Sequence, residues 1–207
     1  MVTKQKRYVL SFIINKGERI MDLNKTIFEI NGMNTFVKAK TNAFGINKLL
    51  LSFVCYDKNS NKLLNNVDIF MNIPDALLLA NDILSGKIYK LAAKEKAKGA
   101  QYPEAVWTSP FGGTPEAKAK REDGKAISRY WSIKPGTKKP FILNACQGPG
   151  HTTGKGLIAP ESGRPEVNII VPCSTDDLKK LALMIQIEIQ SYITALHITT
   201  NNSTTNN

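Results

Sequence analysis

The stretch NVDIFMNIPDALLLANDILSG, Asn66–Gly86, decides how this chain is read. It opens as a β-like run, NVDIFMN, and turns into a helix at Asn72. Asn72 is a residue type that caps helices, Pro74 is tolerated in a first turn, and Asp75 sits at the third helical position. Gly86 is a natural stop. The same order returns near the C-terminus. EVNIIVP (Glu166–Pro172) is a strand candidate, and STDDLKKLALMIQIEIQSYITAL (Ser174–Leu196) is a long helix with Ser174 as cap and Asp177 at the third position. Leu178, Leu181, Ala182, Ile185, Ile189 and Tyr192 recur there at helical spacing. Val67 aligns with Val167, Ile69 with Ile169, Asn72 with Ser174 and Asp75 with Asp177.

Working outward, three further β-like runs precede the first unit: TIFEING (Thr26–Gly32), TFVKAK (Thr35–Lys40) and KLLLSFVCYD (Lys48–Asp57). Turn chemistry separates them. Three more precede the second unit: EAVWTS (Glu104–Ser109), ISRYWSIK (Ile127–Lys134) and PFILNACQ (Pro140–Gln147). Cys55 and Cys146 fall near the ends of corresponding runs. The expected fold is therefore α+β: two pseudo-repeated four-strand antiparallel sheets, each followed by a helix. One globular domain over residues 1–198 would contain two similar halves, about 8–86 and 102–196. Ser85–Gln101 reads as a helix extension or a basic connector. Ser109–Lys125 has no apolar periodicity and reads as a mobile loop, and GTKKP (Gly136–Pro140) as a hairpin turn. The polar tail 199–207 has no core-forming residue and is expected to be disordered.

The chain of 207 residues carries a formal net charge of +11. Gly86–Pro140 holds thirteen Lys or Arg against five Asp or Glu, so eight of the eleven net charges sit in about a quarter of the chain. A concentrated basic region attracts polyanions by counterion release and steering. No wide apolar helical face accompanies that segment, so nucleic acid is favoured over a membrane surface. The most apolar stretch, Leu178–Ile198, is interrupted by Lys179, Lys180, Gln186, Glu188 and Gln190, which argues against a membrane span. YVLSFII near the N-terminus is followed by NKGER rather than a small-residue cleavage site. Cys55, Cys146 and Cys173 are odd in number and lack metal or redox spacing. They read as free thiols in a reducing cytoplasm.

GPGHTTGKGLI, Gly148–Ile158, imitates a phosphate-binding loop but fails its chemistry. Counting back from Gly154-Lys155, the first glycine position is Pro149, which has no N–H. The residue after Lys155 is Gly156, which has no hydroxyl for Mg²⁺. The stretch reads instead as a long hairpin whose amides and Lys155 could meet a backbone, or as a hairpin with no ligand. His151 and His197 lack metal-ligand partners by spacing. Cys146 and His151 lack a third partner for nucleophilic catalysis, and no carboxylate pair stands out. No cofactor or metal is expected, and the chain does not read as an enzyme.

Alternation assigns faces within the strands. Phe36, Lys38 and Lys40 share one face of TFVKAK. Arg129, Trp131 and Ile133 share one face of SRYWSIK, and Ser128, Tyr130, Ser132 and Lys134 the other. Rings spaced among cations suit a single strand, whose bases stack while ammonium and guanidinium groups take phosphates. The candidate nucleic-acid-binding set is Phe36, Lys38, Lys40, Trp107, Arg129, Tyr130, Trp131 and Lys134, with Lys138 and Lys139 at the rim. Each tryptophan has a core reading beside the stacking one.

A doubled order of four strands and a helix, with basic and aromatic strand faces, resembles the Whirly and PC4-like single-stranded DNA-binding proteins. The resemblance covers about Tyr8–Leu196. It implies two sheets held together by helices, binding with little sequence preference, and a homo-oligomer. The expected partner is single-stranded DNA, with RNA or duplex DNA as alternatives, in the replication, recombination or transfer of a phage or mobile element. A structural or regulatory protein docking on an acidic partner is the reading from another class.

Overall fold

A computed structural model describes the backbone of residues 25–204 and the side chains of residues 25–198. The run YVLSFII and the first residues of the expected N-terminal half lie outside the described residues. The fold is α+β, with two antiparallel sheets and four helices among the described residues. Strands β1 (Thr26–Asn31), β2 (Thr35–Lys40), β3 (Lys48–Tyr56) and β4 (Leu63–Asn72) form the first sheet as a meander in chain order. Helices α1 (Ile73–Leu84) and α2 (Lys87–Ala97) follow.

The second sheet contains β5 (Trp107–Thr108), β6 (Gly112–Thr114), β7 (Ala126–Pro135), β8 (Phe141–Thr152), β9 (Ile158–Pro160) and β10 (Val167–Cys173). Its spatial path is β10-β8-β7-β5, with β6 also paired to β7 and β9 to β8. A short helix, α3 (Glu116–Ala119), lies between β6 and β7, and α4 (Thr175–Thr204) closes the chain.

Strand alternation builds the core. Val37 and Ala39 of β2, Leu49, Leu51 and Phe53 of β3, and Val67, Ile69 and Met71 of β4 are buried on one face of the first sheet. Trp131 and Ile133 of β7, Leu143 and Ala145 of β8, and Ile169 and Val171 of β10 are buried on one face of the second. These residues belong to one contiguous cluster, which α1 and α4 complete through Leu79, Ile83, Leu178, Ile185 and Ile189. The rings of Phe53 and Trp131 meet across the sheets, 5.9 Å between centroids.

The helix boundaries follow from local chemistry. Ser174 Oγ accepts a hydrogen bond from the Asp177 amide at 3.1 Å and donates to Asp177 Oδ2 at 2.5 Å. That is the capping arrangement the sequence suggests for α4. Ser174→Ala is expected to cost about 1 kcal/mol, read as a lower denaturation midpoint at unchanged slope. Asn72 occupies the cap position of α1, yet its side chain caps no backbone amide. Its Nδ2 donates to Asp75 Oδ2 at 3.1 Å instead. Gly86 ends that helix at φ 81°, a left-handed conformation that costs glycine nothing.

Several sequence expectations meet corrections here. Ser85–Gln101 contains a helix of its own, α2. EAVWTS contributes only the two-residue strand β5. The polar tail is helical in backbone through Thr204, and residues 205–207 lie outside the described residues. By length and hydropathy Thr175–Ile198 would pass for a membrane span, a test that a core helix also meets. The GPGHTT part of the glycine-rich stretch is strand rather than hairpin turn. It continues β8, and the turn itself begins at Thr153. At Gly150 a Cβ would lie 2.6 Å from the Ala159 carbonyl oxygen and 2.8 Å from Ser128 Cβ. Glycine lets β9 close on β8 there.

Ser109–Lys125 is also better fixed than its composition suggests. Arg121 forks to both oxygens of Asp123 and of Glu166, with four N–H···O bonds of 2.8 Å each. Glu116 accepts from the Thr152 amide at 2.8 Å and from its hydroxyl at 2.6 Å. Arg121 holds the Asp123 carboxyl down at about 2, well below its ordinary 3.8. A carboxylate depressed by folding contributes stability above its unfolded pKa and loses it as pH falls through the folded value. Amide exchange across 112–125, corrected for intrinsic rates, should therefore rise between pH 4 and pH 2. Arg121→Met should produce the same loosening at neutral pH, seen as faster tryptic cleavage after Lys118 and Lys120.

Candidate nucleic-acid interface

The ten candidate residues do not share one surface. Phe36, Lys38 and Lys40 lie on the outward face of the first sheet, each half-buried. There Lys38 pairs with Glu29 at 3.1 Å and lies 4.8 Å from the centre of the Phe36 ring. Register places Glu29, Lys38, Ser52 and Asp68 in one row across the four strands. Lys38 is thus balanced by acidic neighbours, which weakens its claim on a phosphate.

Trp131 is 0% exposed, and its Nε1 is buried without a partner among the described residues. It cannot serve as a stacking platform. Trp107 pairs with Ile133 in the ladder and packs on Trp131 at 4.7 Å, so it too faces the core side. Arg129 shares that side. Its Nε donates to Gln147 Oε1 at 2.6 Å and one terminal nitrogen to Thr114 Oγ1 at 3.0 Å. Burial lowers its pKa, opposed by the charge of Asp68. Trp131 is corrected from a ligand contact to core packing, while Trp107 and Arg129 are partly buried beside it.

Tyr130 and Lys134 point the other way, onto the outward face of the second sheet. That face carries a groove of about 390 Å³, lined by Glu104, Ala105, Thr108, Tyr130, Ser132, Lys134, Asn144, Cys146, Pro165 and Asn168. Strand register explains the set. Thr108, Ser132, Asn144 and Ile170 form one row, Tyr130, Cys146 and Asn168 the next. A smaller hollow of about 80 Å³ adjoins it, sharing Tyr130 and Pro165 and reaching Ser128, Gly148, Glu161 and Arg164. The six-residue advance from Ser128 to Lys134 spans about 20 Å along β7.

The groove combines three chemistries. Tyr130 supplies a ring to the lining, and Phe111, 40% exposed, packs edge-on against it at 5.6 Å between centroids. Desolvation, aided by Cys146, pushes the Tyr130 phenol up to about 12, so it stays protonated at neutral pH. Ser132 and Asn144 provide a polar floor. Lys134 stands at one end, next to the exposed hairpin that carries Lys138 and Lys139, and Arg164 stands at the other.

Alternation alone separates Tyr130 and Lys134 from Trp131 and Arg129. Ser132, Asn144, Cys146, Asn168, Thr108, Phe111 and Arg164 were not among the sequence candidates. Asn144 and Asn168 carry a usable signal, being amides inside otherwise apolar strands. Phe111 and Arg164 come from loops whose path the sequence does not reveal.

Nothing in the described residues forms a metal-binding cluster of three or more His, Cys, Asp or Glu. His151 Nδ1 lies 3.4 Å from Glu161 Oε1. Burial pushes the Cys173 thiol up to about 12, a state unsuited to nucleophilic attack. The fold and groove describe an α+β protein with a polar, ring-bearing strand face. No protein-family model matches the chain, and no curated protein or solved structure matches it either.

Proposed function

We propose that this chain is a non-enzymatic single-stranded DNA-binding protein that holds the strand along the outward face of the second sheet. The observation that carries the reading is the groove itself. It sets Tyr130, with Phe111 against it, beside a hydrogen-bonding floor, with Lys134 in its lining and Arg164 in the adjoining hollow. Bases stack on rings, phosphates take cations, and a groove floored by strands fits an extended polymer. Phe36, Lys38 and Lys40 belong to a separate, charge-balanced face and play a lesser part.

The Whirly-like pseudo-repeat belongs to the same proposal. In its favour, Ile69 and Ile169 are both buried, each on a strand that runs directly into a helix. A homo-oligomer is proposed as well, since Leu183 and Ile187 leave apolar surface on the outer side of α4. The free, largely buried cysteines suit a reducing cytoplasm.

Fluorescence anisotropy with labelled single-stranded DNA, duplex DNA and RNA at one salt concentration tests the reading. Single-stranded DNA should bind most tightly, and log K should fall with log salt by about 0.7 for each phosphate neutralised. Removing Lys134, Lys138 and Lys139 together should reduce that slope by about 2. Absence of binding at low salt would sink the proposal. Tighter duplex or RNA binding would redirect it.

A further inference from the structure

The groove floor is built for more than a backbone. Ser132 is 3% exposed and Asn144 is 6% exposed, yet both line the groove. Ser132 Oγ makes no hydrogen bond to the described residues. Asn144 uses Nδ2, donating to Cys146 Sγ at 3.2 Å, while its Oδ1 is not sealed from solvent and accepts no hydrogen bond from the described residues. Cys146 Sγ in turn faces Asn168 Oδ1 at 3.6 Å, so the orientation of the Asn144 amide is tied to its neighbours. Both oxygens reach the solvent of the groove, so a ligand that displaces water there must itself supply their hydrogen-bond partners. A phosphate is the wrong partner, because a carbonyl oxygen accepts and does not donate. The Glu104 carboxylate on the same rim also repels phosphate and accepts hydrogen bonds.

We infer that the groove reads base identity at one position of the bound strand. It takes a base with an exocyclic amino group, such as adenine or cytosine and equally guanine, in preference to thymine, which has none. The base stacks against Tyr130, its amino group donates to Asn144 Oδ1, and Ser132 Oγ serves a ring nitrogen or carbonyl beside it. Lys134 holds the adjoining phosphate. Asparagine recognises adenine in this manner in other settings, and a well-made polar contact discriminates between bases by roughly tenfold or more. The inference rests on the single-strand proposal and departs from the expectation of little sequence preference.

The test compares anisotropy titrations of the full chain with oligo-dA, oligo-dC and oligo-dT of equal length at one salt concentration. The wild type should bind dA or dC about tenfold more tightly than dT. Asn144→Leu should remove that preference by weakening dA and dC about tenfold more than dT, and Ser132→Ala should weaken all three oligomers. Circular dichroism checks that each variant is folded. Should Asn144→Leu fail to fold, Asn144→Ala decides in its place, since it also deletes Oδ1 and should abolish the preference. Equal binding of all three oligomers by the wild type overturns base reading and leaves the single-strand proposal standing. A preference that survives the substitution of Asn144 also overturns it, by placing selectivity elsewhere. No binding of any oligomer removes both.

Discussion

Trp131→Ala is expected to destabilise the fold by about 3–5 kcal/mol, the usual range for emptying a large aromatic site in a core. Trp131 is fully buried between Phe53 of the first sheet and Trp107 of the second. It is therefore the ring that couples the two sheets. Such a loss is a large fraction of a domain's total stability, so much of the population would unfold near physiological temperature. Trp131→Phe should cost far less, because the indole N–H has no partner to lose. Chemical denaturation followed by circular dichroism measures both. Any fall in DNA affinity of Trp131→Phe beyond its unfolded fraction would argue that the ring has a direct part in binding.

Tyr130→Ala, one residue away, should behave in the opposite way. The ring is half-buried on the outward face and packs mainly on Phe111. Stacking of one base on an aromatic side chain is worth about 1–3 kcal/mol by alanine substitution. Binding of single-stranded DNA should weaken about tenfold, or more if Phe111 loses its alignment, with a modest change in stability. Phe111→Ala should repeat the binding loss more weakly. If Tyr130→Ala bound DNA as tightly as the wild type, stacking on this face would be ruled out.

The contrast between neighbours shows what the chain discloses before its structure is known. Alternation in ISRYWSIK correctly sorts Tyr130 and Lys134 from Trp131 and Arg129. It cannot say which set faces water, because each set contains one aromatic and one cation. The answer depends on what packs behind the strand, namely Phe53 and the first sheet, and that is a long-range contact. Element order was legible for a similar reason: β2 coincides with TFVKAK, and the caps at Asn72 and Ser174 are local signals. Ser109–Lys125 was misread because its order comes from distant partners, Glu166 for Arg121 and Thr152 for Glu116. The glycines of GPGHTT suggested a turn, whereas they permit close approach of a neighbouring strand.

The groove was the least legible feature. Its floor draws Ser132 and Asn144 from the hairpin of β7 and β8 and Asn168 from β10, and only register brings them into adjacent rows. Charge counting points to the half of the chain that carries the groove. It also promotes Arg129, whose Nε and one terminal nitrogen already donate to Gln147 and Thr114.

The account turns on which side of the second sheet meets the strand. An amide-resolved NMR titration with a single-stranded oligonucleotide measures this directly. Shifts should concentrate at Thr108, Phe111, Tyr130–Lys134, Asn144, Cys146 and Asn168, with Phe36–Lys40 little changed. Shifts centred on Phe36–Lys40, or none in the groove at saturating DNA, would contradict it.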